Sequence, residues 1–204
     1  MNRTFLATST VILLGFASIA SAQEQHPATP VGQTAQSQTT RSQVKQYEQS
    51  TGQTFFEAAP RLVRAATSQP TRYLPSTYEF TLTVPPNAGQ PLKAVKISQA
   101  QNQEVIDFDV KKSKAFLGEK FGSGPEIPLA STGGSQPSNS EEVTIVFDQP
   151  VQAGSTVTVA LDTNRNPRFS GVYQFGVTAY PDGENGRGQF LGYQRVTIYD
   201  SGPD

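Results

Sequence analysis

An antiparallel β-sandwich with Ig-like connections and seven to nine strands is the fold class this sequence predicts. Three observations predict it. From Pro60 onward, apolar and polar residues alternate at period two, as in strands with one face in a core and one in water. Turn-forming clusters of Gly, Pro, Asn and Asp punctuate those runs. No long segment of helical period intervenes, so parallel βαβ units are not expected.

The elements follow in order. Residues 61–67 read as a first strand. Phe80, Leu82 and Val84 then alternate with Glu79, Thr81 and Thr83, and Val95 and Ile97 flank Lys96. Ile106, Phe108 and Val110 enclose Asp107 and Asp109. Val143, Ile145 and Phe147 share one face, as do Val157, Val159 and Leu161. Tyr173, Phe175, Val177 and Ala179 form the longest row, and Val196 and Ile198 close the series. Between them lie the turn segments 85–89, 149–154 and 182–186. Strands at this spacing indicate a sandwich. A membrane barrel is the rival all-β form. Its strands would turn Glu79, Lys96 and Asp107 toward lipid, where charge is expensive.

Three segments are expected. Residues 1–22 read as a signal peptide: Arg3, an apolar run around Val11–Leu14, then Ala20-Ser21-Ala22 as a cleavage pattern. That run is shorter than the roughly 20 residues a spanning helix needs. A secreted or periplasmic location after cleavage near Ala22 follows. Residues 23–57 read as a disordered Gln/Ser/Thr-rich linker. Nine Gln fall within 23–53, and such a composition buries too little surface to offset ordering entropy. Residues 58–200 form the sandwich domain. Removing Arg3 leaves 15 basic against 17 acidic residues, too little positive charge to hold nucleic acid. With no Cys there are no disulfides, and a core must supply the stability.

Five segments carry a resemblance. They are Pro60-Arg61-Leu62-Val63; Val84-Pro85 with Ala88–Leu92; Phe147–Val151; Asn166-Pro167 with Gly171–Ala179; and Gly188–Gly192. Together they resemble a family of secreted cyanobacterial proteins whose domain has no assigned function. The resemblance spans about residues 60–199. It implies an envelope or extracellular setting and carries over no catalytic residue.

The chemistry inventory is short. Nucleophilic triads and zinc sites need His or Cys held in place. The single His is His26, in the linker. Ser42-Gln43-Val44-Lys45 matches S-x-x-K but also lies in the linker. Asp162–Asn166 begins like a calcium loop, yet Pro167 and Tyr173 stand where Gly and Glu are required. Asn166-Pro167 therefore reads as a turn former. Asp182 and Glu184 could hold calcium only weakly. No cofactor, no catalytic residue and no enzymatic activity are expected. The alternative is a carbohydrate-active hydrolase using Asp107 and Asp109 as paired carboxylates. Tyr180 and Tyr193, near strand ends, are the available aromatic platforms for sugar.

The expected function is thus a non-catalytic binding or structural module of the cell envelope. Connection parity points to a site. If successive strands are antiparallel, loops 85–91, 110–141 and 162–170 share one end, and loops 99–103, 148–154 and 181–188 the other. The first end would gather Lys111, Lys112, Lys114, Arg165 and Arg168. These are the expected ligand-binding residues, facing an anionic envelope polysaccharide or the negative surface of an envelope protein.

Overall fold

A computed structural model describes residues 41–43, 45–46, 52–133 and 141–200. The expected signal peptide, His26 and most of the linker lie outside the described residues. Nine strands are described: β1 (Arg61–Thr67), β2 (Ser76–Thr83), β3 (Leu92–Gln99), β4 (Phe108–Leu117), β5 (Leu129–Gly133), β6 (Glu142–Val151), β7 (Thr156–Thr163), β8 (Gly171–Pro181) and β9 (Gln189–Ile198). They form two antiparallel sheets, ordered β1-β2-β7-β4 and β5-β6-β3-β8-β9. Lettered as an Ig domain, the first sheet is A-B-E-D, and β3, β8 and β9 are C-F-G. β5 and β6 are inserted between D and E and extend the second sheet. The all-β sandwich expected from alternation is the fold.

Alternation builds the core. Phe80 and Leu82 from β2, Ile145 and Phe147 from β6 and Phe175 from β8 are fully buried between the sheets. Each such side chain contributes roughly 1.5–3 kcal/mol by leaving water. The Phe175 ring meets Tyr78, Phe80 and Phe108 at centroid distances of 5.8, 5.4 and 6.3 Å. Near the start of β8, the Tyr173 hydroxyl donates to the Phe169 carbonyl at 2.9 Å. This is the tyrosine corner typical of Ig sandwiches.

Three features depart from the alternation pattern. β4 continues through Lys111, Lys112 and Lys114 to Leu117, where a loop was expected. Its register with β7 slips between Asp109 and Lys114, and that bulge destroys period two. β5 is a short edge strand of small residues, Leu-Ala-Ser-Thr-Gly, with no alternation to read. Residues 53–57, assigned to the linker by composition, are tied onto the domain. Phe56 is buried in the core, the Glu57 amide donates to Ala88 O, and the Arg187 amide donates to Thr54 O. Two adjacent phenylalanines stand in this stretch, and Phe56 reaches the core.

The extra strand reverses the parity of every later loop. Thr83 pairs with Thr156, and Leu92 with both Val151 and Pro181. Connections 84–91, 152–155 and 182–188 therefore share one end. Thr163 pairs with Ser76 and Phe108, so 68–75, 100–107 and 164–170 share the other. Loops 85–91 and 162–170, expected together, lie at opposite ends. Of the expected loop 110–141, the described residues 110–117 run along β4 from one end toward the other.

Candidate functional site

The end formed by 68–75, 100–107 and 164–170 is built from loops pinned by buried polar side chains. Asn166 is fully buried. Its Nδ2 donates to Gln69 O at 2.6 Å and Thr71 O at 2.8 Å. Its Oδ1 accepts from the Tyr78 hydroxyl at 2.7 Å, and its amide donates to Leu74 O at 2.8 Å. One side chain thus closes loop 68–75 onto loop 164–170. Gln99, also buried, donates to Glu104 O at 2.8 Å and accepts from the Ile106 amide at 2.9 Å. Thr163 Oγ1 donates to Asp107 O at 2.8 Å, lies 3.0 Å from Arg165 O and accepts from the Arg165 amide at 3.3 Å. Satisfied buried groups of this kind hold loops in one conformation.

Burial pushes the Tyr78 phenol well above its ordinary value, and the Tyr173 phenol beside it adds to the rise. Tyr173 is raised too, by burial and then by the negative charge of Glu104. An acid whose folded-state pKa is raised stabilises the fold below the unfolded value near 10 and loses that contribution as pH climbs. Unfolding free energy is therefore expected to hold to about pH 9 and to fall above about pH 10. Denaturant titrations across pH 8–11 check it, and a profile that stays flat contradicts it. In Tyr78→Phe the slope should flatten. Stability at neutral pH should drop by about 1–3 kcal/mol, because Asn166 Oδ1 loses its donor.

These pinned loops display arginines beside aromatic rings. Tyr73 has φ +64°, a conformation unfavourable for a bulky side chain, and the residue is 48% exposed. The Arg72 guanidinium lies 5.4 Å from the Tyr73 ring centroid and that of Arg168 5.8 Å from Phe169, within cation–π range. Arg72 reaches Asp200 at 2.7 Å and donates to Arg168 O at 3.1 Å. Arg168 reaches Glu104 at 3.5 Å. Beside them an open pocket of about 110 Å³ is lined by Glu104, Asp107, Asn164 and Arg165 among others.

The sequence-predicted site residues divide. Lys111 and Lys112 lie in the first half of β4 beside the end of β7, at the same end as Arg165 and Arg168. Lys112 Nζ is 3.4 Å from Asn164 Oδ1 and 3.2 Å from Asp109. Lys114 sits farther along β4, opposite Ala160, and pairs with Glu126 at 3.8 Å. Arg72, Lys111, Lys112, Arg165 and Arg168 are five cations. Glu104, Asp107, Asp109, Asp162 and Asp200, in the same loops and flanking strand ends, are five carboxylates. No net positive field arises here. Asp107 lines the pocket, while Asp109 faces Lys112 and accepts from the Lys111 amide at 3.3 Å.

Arg72 and Tyr73 were missed in the sequence. Their signal is weak, an Arg-Tyr pair between Pro70 and Pro75. Among the described residues no three His, Cys, Asp or Glu side chains gather as metal ligands. None of the described helices is long and apolar enough to cross a membrane.

No curated protein matches the chain. Solved structures similar to it include ACE19, the collagen binding subdomain of Enterococcus faecalis surface protein ACE. That match has 6% identity and a TM-score of 0.41, and covers 66% of this chain and 94% of that one. The bacterial hydrophobin BslA matches at 13% identity and TM-score 0.41, over 70% and 100%. The full-length major pilin SpaD from Corynebacterium diphtheriae matches at 9% identity and TM-score 0.43, over 67% and 33%. Residues 53–198 match the model of a family described as protein of unknown function (DUF2808).

Proposed function

Since the chain belongs to the DUF2808 family of proteins of unknown function, we propose from its own geometry that it is a secreted, non-catalytic binding module of the cell envelope. It engages an envelope protein with the end carrying Arg72, Tyr73, Arg168 and Phe169. The observation that carries this reading is the pairing of exposed aromatic rings with arginines on loops held by Asn166, Gln99 and Thr163. Arginine and tyrosine dominate interface hot spots. Loops already fixed lose little entropy on binding. Secretion rests on the signal-like residues 1–22, and the lack of catalysis on a chain with one His and no Cys.

A second reading keeps the anionic polymer as partner. It is favoured by Lys111 and Arg165, whose side chains have no acidic partner within salt-bridge distance among the described residues. Binding of that kind would fade with salt, because exposed charges are screened over roughly 8–10 Å at physiological ionic strength.

Capture from envelope fractions tests both. Tyr73→Ser with Phe169→Ser is expected to abolish capture of a discrete protein and to leave the melting temperature near wild type. Lys111→Glu with Arg165→Glu should weaken it little. The reverse pattern, with salt-sensitive recovery of acidic polysaccharide, favours the polymer. Polysaccharide turnover abolished by Asp107→Asn would replace both with the hydrolase.

A further inference from the structure

We propose that the outer face of the five-stranded sheet is a binding platform for a neutral glycan chain, held by the exposed edge-to-face pair Phe190 and Tyr193, one ring stacking on a pyranose and the other walling it in. This surface is separate from the loop end discussed above.

Phe190 and Tyr193 are three residues apart, so in a regular strand they would face opposite ways. Here the register of β9 slips. Tyr193 pairs with Gly176, Gly192 with Val177, and Phe190 with Thr178, leaving Leu191 unpaired. Gly192 supplies the turn at φ +111°, open to glycine and strained for other residues. The bulge brings both rings to the outer face and turns Leu191 against the core. The centroids are 5.1 Å apart, edge to face at 70°. Gly176 makes room beneath them. Any side chain there would put its Cβ 3.0 Å from Phe190 and 3.1 Å from Tyr193.

Covering a glycine does not require rings that remain in water, yet Phe190 is 53% and Tyr193 56% exposed. Tyr180 continues the aromatic row. It lies two residues beyond Thr178 on β8, about 7 Å along the strand, a step comparable to one sugar ring. The surroundings are neutral and rich in hydroxyls. Thr178 is flanked by Lys96 and then Thr144, and Gly176 by Ser98. Lys96 is spent on Glu142 at 3.3 Å. Arg195 opposite Gln174 adds a donor at the rim.

The other sheet is treated differently. The β4–β5 connection lies over its outer face, where Thr81 Oγ1 donates to Glu119 O at 3.2 Å and Thr158 Oγ1 to Gly118 O at 2.8 Å. Both threonines are buried. Among the described residues nothing comparable covers Phe190 and Tyr193.

The chemistry selects the occupant. A pyranose offers an apolar C–H face to an aromatic ring and hydroxyls around its rim to Thr, Ser and Gln. An anionic polymer would call for several unpaired cations. A lipid surface would call for a continuous apolar patch without interleaved hydroxyls.

Calorimetric titration of the protein with cellohexaose, xylohexaose and laminarihexaose, with polygalacturonate as the acidic comparison, tests this. At least one neutral hexaose is expected to bind, equally at low and high salt. Tyr193→Ala and Phe190→Ala should each weaken it about tenfold or more, while Tyr193→Phe retains it. Tyr193→Leu keeps an apolar cover over Gly176 without a ring. It should bind as weakly as Tyr193→Ala, with melting near wild type. Lys120→Gln, exposed on the β4–β5 connection over the other sheet, should change nothing. The proposal is overturned if no neutral hexaose binds, if binding survives loss of either ring, or if only polygalacturonate binds. Self-association lost in Tyr193→Ala would overturn it too, by making a second copy the occupant.

Discussion

Replacing Asn166 with leucine is expected to destabilise the domain by about 3–5 kcal/mol, roughly 1–3 kcal/mol for the buried Tyr78 hydroxyl and about 1 kcal/mol for each of two carbonyls on half-buried residues. Three groups lose partners together: the Tyr78 hydroxyl and the carbonyls of Gln69 and Thr71. The fully buried Tyr78 hydroxyl cannot turn to water while the loops stay closed. For a domain of this size the loss corresponds to a melting temperature roughly 10–20 °C lower. Asn166→Asp is the informative companion. It keeps the volume and the acceptor for Tyr78, but sets a carboxylate oxygen against two carbonyl oxygens where Nδ2 now sits at 2.6 and 2.8 Å. Burial and that repulsion should raise the new carboxyl's pKa in the folded state. Its stability should then be greatest below about pH 4, the unfolded value, and decline as pH rises through the folded one. Thermal melts of both variants at acid and neutral pH check this. Equal destabilisation of Asn166→Asp at both would contradict it. Because Asn166 also joins two loops of the candidate site, partner binding should weaken in either variant before the domain unfolds.

Phe175→Ala is expected to lower stability by about 3–5 kcal/mol, the usual range for an aromatic truncated in a core. Phe175 is fully buried and central. Its ring packs edge-on against Tyr78 and Phe80 and tilted against Phe108, so it bridges β8, β2 and β4 across the two sheets. Neighbours anchored on separate strands cannot close the cavity without moving those strands. Phe175→Leu, which fills most of the space, should recover more than half of the loss. Denaturant unfolding measures both. A loss under about 1 kcal/mol for Phe175→Ala, the range of surface substitutions, would show that the sheets repack around the gap. Neither change touches Phe190 or Tyr193, so glycan titration of Phe175→Leu serves as a control for the outer face.

The alternating rows were legible because strand period is a local property. Phe80-Leu82, Ile145-Phe147 and Tyr173–Ala179 turn inward as their spacing requires. Lys111 and Lys112 were not legible as strand, since the β4 bulge breaks the period. β5 has too few large side chains to carry one. Missing that single five-residue strand misplaced every later loop, because loop ends depend on a count of strand reversals. Arg165 and Arg168 nonetheless stand near Lys111 and Lys112, for β4 and β7 are neighbours in the sheet.

Sequence by itself determined the all-β class, most strands, the inward-facing rows and the scarcity of catalytic side chains. Each depends on residue type or on spacing within one segment. Tertiary structure alone decided which loops meet at which end. It also made Asn166 a buried junction rather than a plain turn former, balanced the charges around Arg165 and brought Phe190 and Tyr193 to one face. Those outcomes depend on pairings between residues far apart in the chain and on one-residue slips of register, and neither leaves a mark in local composition.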